Sequence, residues 1–176
     1  MPVGHLDDFV QELKRVGEAA FRKRHPAPVL IVTGRATRGK RAGTEEVTRA
    51  ISIKSSGKHR ASLALLHRVF PLAKAAHAPA GPVLVGRTTE NDVSIPEYSI
   101  SKVHCAFEVK DGMMSVSDRG STNGTSINGA RLEQGASVPL CGGEQITMGR
   151  FTFVYETPAG FLEFVSGRVV SGRVVK

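Results

Sequence analysis

Leu6, Phe9, Val10, Leu13, Val16, Ala20 and Phe21 recur three and four positions apart, the spacing that gathers side chains on one face of a helix. Asp7 and Asp8 open this stretch, and Arg22, Lys23 and Arg24 close it, a polarity that suits the helix dipole. Pro26 and Pro28 then stop it. The pattern predicts an amphipathic helix over 6–24 whose apolar stripe docks on the rest of the chain or on a partner. A membrane-surface helix fits less well, because the polar face carries charges of both signs.

After Pro28 the period changes. Val29 to Thr33 is a short β-branched run and predicts a strand. Residues 44–60 are polar, with an Ile51/Ile53 alternation that predicts an edge strand and a turn at Ser55-Ser56-Gly57-Lys58. Ala61 to Val69 and Phe70-Pro71-Leu72 lead into a region of short strands, past an Ala- and Pro-rich loop from Ala75 to Pro82. Val83-Leu84-Val85, His104 to Val109 and Met113 to Ser117 read as strands, with Asp111-Gly112 as a hairpin turn between the last two. Thr125 to Asn128 with Gly129 makes another tight turn. Glu144 to Met148 follows, and Phe151, Phe153 and Tyr155 alternate along the last strand. Alternation of this kind lets two sheets bury a shared core. Phe161, Leu162, Phe164 and Val165 predict a short closing helix. Ser-Gly-Arg-Val-Val then occurs twice, from Ser166 and from Ser171, and reads as a flexible end.

Composition narrows the classes. Forty per cent of the 176 residues are hydrophobic, as in a soluble globular protein, and no apolar run reaches the roughly 18–20 residues of a membrane span. The start lacks the basic-then-apolar pattern of a signal peptide. Two cysteines, Cys105 and Cys141, are too few for a disulfide framework, so a reducing cytoplasm is expected. Charge is uneven: residues 1–80 hold 15 Lys and Arg against 6 Asp and Glu, and residues 81–176 hold 9 against 10. The basic surplus upstream favours anionic partners in general without choosing among them.

Three tempting sites fail on chemistry. Gly34 to Lys40 fits G-x-x-x-x-G-K after a strand, but Arg41 stands where a nucleotide loop needs the Ser or Thr that binds magnesium. His104, Cys105 and Cys141 lack the fourth ligand and paired spacing of a zinc site, so no metal is expected. Ser101 and His104 lack the third residue that would orient a nucleophile and its base. No cofactor is implied, and no enzyme.

The stretch from Gly86 to Gly129 carries a stronger pattern. Gly86-Arg87 is followed by Asn91-Asp92, Ser101-Lys102-Val103-His104, Ser121-Thr122-Asn123-Gly124-Thr125 and Asn128-Gly129. This order and spacing resembles the forkhead-associated (FHA) domain, a β-sandwich that reads phosphothreonine, and with flanking strands the likeness covers residues 61–156. The resemblance implies an all-β, FHA-like sandwich of about 10–11 short strands behind the N-terminal helix. The chain then divides into a helix at 1–28, a basic strand and loop extension at 29–60, the FHA domain at 61–156, and a closing segment and tail at 157–176.

The resemblance also assigns roles. Arg87, Ser101, Lys102 and Thr122 would bind the phosphate, and Asn123 would hold the peptide backbone beside it. Gly86, His104, Gly124, Asn128 and Gly129 would shape the loops, His104 through hydrogen bonds from a buried ring. Chemistry agrees: a phosphothreonine brings about −1.5 to −2 charges and three acceptor oxygens, a guanidinium fork matches those oxygens, and an amide both donates and accepts. Ser99 stands where some family members carry a second phosphate-binding arginine. The expected function is a phosphothreonine-peptide-binding module in Ser/Thr-kinase signalling, with a kinase or its substrates as partners and no membrane. The rivals are a phosphate-independent scaffold using the helix at 6–24, and nucleic-acid binding by the basic segment, which lacks aromatic interleaving or a recognition helix. Thr44, with Glu45 and Glu46 after it, is a candidate regulatory phosphosite that would occupy the chain's own pocket.

Overall fold

A computed structural model describes residues 3–36, 64–76 and 78–171. The expected Ile51/Ile53 strand, most of the Gly34 to Arg41 loop, the turn at Ser55-Ser56-Gly57-Lys58, Thr44 and the tail beyond Ser171 lie outside these residues.

Twelve strands form two sheets among the described residues. The first sheet runs β1 (Gly4–His5), β3 (Arg68–Pro71), β2 (Val29–Arg35), β12 (Phe151–Glu156), β11 (Gln145–Met148), β8 (Thr125–Ile127) and β9 (Ala130–Arg131). The second runs β10 (Ser137–Leu140), β7 (Met113–Asp118), β6 (Cys105–Lys110), β4 (Val83–Gly86) and β5 (Val93–Ser94). All neighbours are antiparallel except β4 and β5. The sheets face each other across a core that includes Leu30, Val32, Val85, Cys105, Phe107, Val116, Ile146, Met148, Phe151 and Phe153.

Tight hairpins set the register. Asp111 and Gly112 take φ of 51° and 79°, and Asn128 and Gly129 take 49° and 84°. Two consecutive positive φ values match the twist of the strands they join, and Asn-Gly and Asp-Gly reach that region at low cost. Each pair therefore closes a two-residue loop, β6 to β7 and β8 to β9.

A second core lies on the outer face of the first sheet. Helix α1 (Leu6–Val16), helix α2 (Glu18–Arg24) and helix α3 (Pro158–Ser171) bury Leu6, Phe9, Val10, Leu13, Phe21, Phe161, Leu162 and Val165 against Val29, Ile31 and Val69. β2 is thus covered on both faces: Leu30 and Val32 point into the sandwich, Val29 and Ile31 toward the helices. That is why Val29 to Val32 reads as an unbroken apolar run instead of an alternating one. The strand expected within an extension is a central member of the first sheet, paired with β12 and β3.

The helical stretch at 6–24 is two helices, not one. Gly17 sits between them at φ 75°, outside helical geometry, and its N–H caps α1 by bonding the Leu13 carbonyl at 2.9 Å. Periodicity missed this break because Val16 and Ala20 keep the apolar spacing across it. α3 is longer than the short closing helix expected from Phe161 to Val165, spanning 14 residues and taking in the first Ser-Gly-Arg-Val-Val copy, Ser166 to Val170, which was expected in a flexible end. No helix among the described residues is long and apolar enough to cross a membrane.

Candidate phosphopeptide site

Three loops converge at one end of the sandwich: β4 to β5, β5 to β6, and β7 to β8. The first is pinned from below. Gly86 packs so closely on the second loop that a Cβ there would overlap the Lys102 carbonyl, so no larger residue fits. Asn91, 6% exposed, clips the two loops together. Its Nδ2 donates to the Lys102 carbonyl at 2.7 Å and to the Thr88 carbonyl at 2.9 Å. Asp92 next to it accepts from Leu84 N, Ala75 N and Lys74 Nζ at 2.8, 3.0 and 2.9 Å. Burial opposes its ionisation, but those donors outweigh it and hold the carboxyl below its ordinary range.

This scaffold fixes the Arg87 backbone and frees its side chain. Arg87 N donates to the Ser101 carbonyl at 2.9 Å, while the side chain is exposed. Lys102 and Arg119 are exposed on the neighbouring loops, Arg119 tied through its N–H to the His104 carbonyl at 2.9 Å. Among the described residues none of these three cations makes an ion pair. Arg119 had no place in the sequence reading. Its signal was its position, two residues before Ser121-Thr122-Asn123.

The second and third loops meet at Ser101 and Thr122. The Ser101 hydroxyl accepts from Thr122 N at 2.9 Å and donates to Thr122 Oγ1 at 3.3 Å. Asn123 is exposed, and its Nδ2 donates to the Ser99 carbonyl at 2.7 Å. The amide keeps a second proton and a carbonyl oxygen for other bonds. Asn128 ties the hairpin that Gly129 closes to β11, its Oδ1 accepting from Gln145 N at 2.9 Å.

His104 lies beneath all three loops, fully buried. Ser101 N donates to its Nδ1 at 3.1 Å, and a backbone N–H only donates, so Nδ1 is unprotonated. Nε2 then carries the proton and donates to the Gly124 carbonyl at 3.3 Å. Burial pushes the His104 pKa below its ordinary value, against the pull of the Gly124 carbonyl and Asp118. Both ring nitrogens are engaged in holding loops, which leaves neither for a substrate. Gly124 is itself held at φ 78°, where an added Cβ would strike the Arg131 guanidinium.

Asp118 organises the third loop. It accepts from Ser121 N, Ser121 Oγ and Thr125 Oγ1 at 2.8, 2.6 and 2.6 Å. Burial opposes its charge, but these bonds win and hold the carboxyl below its usual range. A cleft of about 280 Å³ lies behind this loop, lined by Asp118, Ser121, Gly124, Arg131 and Gln134. Arg87, Ser101 and Thr122 are not part of that cleft. They form an open surface of exposed cations, a hydroxyl pair and an amide, suited to an anionic group on an extended chain. No cluster of metal-ligating side chains occurs among the described residues.

Comparison with known proteins agrees with this geometry. Residues 83–149 match the model of the FHA domain. The oxoglutarate dehydrogenase inhibitor of Corynebacterium diphtheriae is 34% identical over 70 residues, 40% of this chain and 47% of that protein. The glycogen accumulation regulator GarA of Mycolicibacterium smegmatis is 31% identical over 72 residues, 41% of this chain and 44% of that protein. The chain thus spans less than half the length of these curated relatives. Among solved structures, an FHA domain of an Arabidopsis thaliana protein is 32% identical, covering 46% of this chain and 70% of that one, with a TM-score of 0.42. By its three-loop motif and its family match, the chain carries a forkhead-associated domain over residues 83–149.

Proposed function

We propose that this chain binds phosphothreonine in partner proteins marked by a Ser/Thr kinase, and does so without catalysis. The observation that carries the reading is the cluster of Arg87, Ser101, Lys102 and Thr122 on one loop face, above the buried His104. Arg87 and Lys102 neutralise the phosphate, the Ser101 and Thr122 hydroxyls bond its oxygens, and Asn123 grips the peptide backbone. Gly86, Gly124, Asn128 and Gly129 keep the loops in shape.

The domain division follows. Residues 61–156 carry all three loops and form the reading unit, with β2 completing its first sheet. Helices α1, α2 and α3 back that sheet. A regulator or inhibitor is also what two relatives are named for, and recruitment through a phosphorylated partner is the corresponding role here. The setting is the cytoplasm, where kinases and ATP meet. A catalytic reading has little support, since the one histidine beside the hydroxyl pair is buried with both nitrogens engaged. A scaffold built on the N-terminal helix is disfavoured, because its apolar stripe is already buried in the second core.

Charged hydrogen bonds contribute roughly 1.5–3 kcal/mol each, and ordering a loose peptide offsets part of that. A dissociation constant on the order of micromolar follows, about −8 kcal/mol. Fluorescence anisotropy against an oriented phosphothreonine peptide library, with phosphoserine and unphosphorylated controls, tests the proposal. Selective binding of phosphothreonine is expected. Equal binding of all three series would overturn it.

A further inference from the structure

A second group of cationic side chains gathers at the β1–β3 edge of the first sheet. The rings of His5 and His67 stand edge to face there, their centroids 5.9 Å apart. Arg168 of α3 acts on the same place. Burial pushes the His67 pKa below its ordinary value, the Arg168 charge and then His5 push it further, and Asp7 pulls it back. His5, His67 and Arg168 are all half-buried, where charges are screened less than in open water.

The backbone fixes these positions. His67 N donates to the Val32 carbonyl at 3.0 Å, and the His67 carbonyl accepts from Leu6 N at 2.8 Å. His67 is held at φ 61°, in the left-handed region that residues other than glycine seldom occupy. Asp111 and Asn128 share that region, but each closes a hairpin, whereas His67 leads into β3. Arg168 lays its guanidinium on the Phe164 ring, with Cζ 4.7 Å from the centroid. Cation–π attraction holds it there, so less freedom is lost when it binds.

The donors of this group are unspent. Among the described residues the His67 ring and the Arg168 guanidinium make no hydrogen bond or ion pair. His5 engages only Nδ1, which accepts from Asp7 N at 3.4 Å and lies 3.4 Å from the Asp7 carboxylate, so Nε2 is open. Arg68 stands across the strand pair from His5 and adds positive charge, while Asp8 is occupied at the helix cap, accepting from His5 N at 3.1 Å. The N–H groups of Leu6 and Asp7 are spent within the fold, so side chains and not the helix end are what a ligand meets.

We propose that His5, His67 and Arg168 form an anion site apart from the three-loop face, taking a compact oxyanion, free or as the phosphate of a small monoester. It does not depend on the phosphothreonine reading. Asp7 balances only part of the positive charge gathered here, and an oxyanion offsets the rest. The guanidinium fork matches two of its oxygens, and the imidazole N–H groups reach the others. Protonation and binding are linked: the anion favours the charged form of His67, and charged His67 favours the anion, so affinity rises as pH falls.

The test titrates the whole chain with sodium sulfate, whose charge stays constant, and separately with glycerol phosphate, at an ionic strength held with sodium chloride. NMR follows the ring signals of His5 and His67 from about pH 5.5 to about 7.5, the range in which histidine titrates. Sulfate is expected to raise the His67 midpoint by about half a unit, which corresponds to about threefold tighter binding to the charged ring. Arg168→Gln should abolish the rise. His67→Asn, which keeps a residue tolerant of the left-handed backbone, should weaken the pH dependence of sulfate affinity read at His5. A response to sulfate alone marks a site for free oxyanions, and a response to both probes marks one open to monoesters. A midpoint no different from that in chloride, or a rise that persists in Arg168→Gln, overturns the site. An unchanged pH dependence in His67→Asn overturns it as well, as does an anion that moves only the Arg87 amide.

Discussion

Thr122 donates its backbone N–H to the Ser101 hydroxyl at 2.9 Å across 21 positions of sequence. The bond joins two loops at the point where a phosphate would rest, and its donor and acceptor are both accessible. On the proposed reading, Ser101→Ala removes a phosphate contact together with the loop tie. Because water replaces the tie at an exposed site, stability should change by less than about 1 kcal/mol. Phosphopeptide affinity should fall by about tenfold, or ~1.4 kcal/mol. Calorimetry and urea denaturation of the same variant separate the two effects. A large stability loss with unchanged affinity would make the contact purely structural.

Arg87 is the sharper test of charge. Its backbone bond to Ser101 is independent of its side chain, so Arg87→Ala should fold normally. Loss of a forked, charged contact to phosphate should cost about 2–4 kcal/mol of binding. A calorimetric loss smaller than about fivefold would remove Arg87 from the phosphate site.

His104 gives the loops their pH dependence. Its folded pKa lies below the ordinary value of about 6.5. As pH falls, the unfolded chain takes up the proton first, so stability is full above about 6.5 and declines as pH drops below it. His67 is shifted the same way, by burial first and then by the Arg168 charge, and shares the effect. The urea midpoint of the wild-type protein should therefore fall between pH 7.5 and 5.5. His104→Asn should cost about 2–4 kcal/mol at pH 7.5, through lost packing and an unpaired Ser101 N–H, and should show a shallower decline. A decline of unchanged slope would mean that His104 does not titrate with unfolding.

Phe161 tests whether the helical layer belongs to the folding unit. It is fully buried, with its ring 5.4 Å from that of Phe9 and 5.7 Å from that of Phe21. Phe161→Ala should destabilise the whole chain by about 3–5 kcal/mol in one cooperative transition. Two separate transitions, the sandwich unaffected in the second, would show a layer that folds apart.

The loops were legible because their chemistry is local. Ser101 and His104 stand three apart because the ring must reach back to the Ser101 N–H, and Asn128-Gly129 announces a turn by backbone geometry alone. What depends on distant parts of the chain was not legible. The apolar run at Val29 to Val32 looked like a strand in an extension, yet it is buried on both faces between residues far along the sequence. Gly17 interrupts a helix whose apolar period continues across the break. Asn91 was visible as part of a motif, but its bond to the Lys102 carbonyl was not. The link from Ser99 to Arg150 spans 51 positions, and only the folded sheets bring its ends together.

The central claim is that the three-loop face reads phosphate on a peptide, and backbone amide shifts measured by NMR during titration test it most directly. Adding a phosphothreonine peptide should move the amides of Arg87, Ser101, Lys102, Thr122 and Asn123, and the same peptide without phosphate should leave them in place. Equal shifts with both peptides, or shifts confined to the helices at 6–24, would contradict the account.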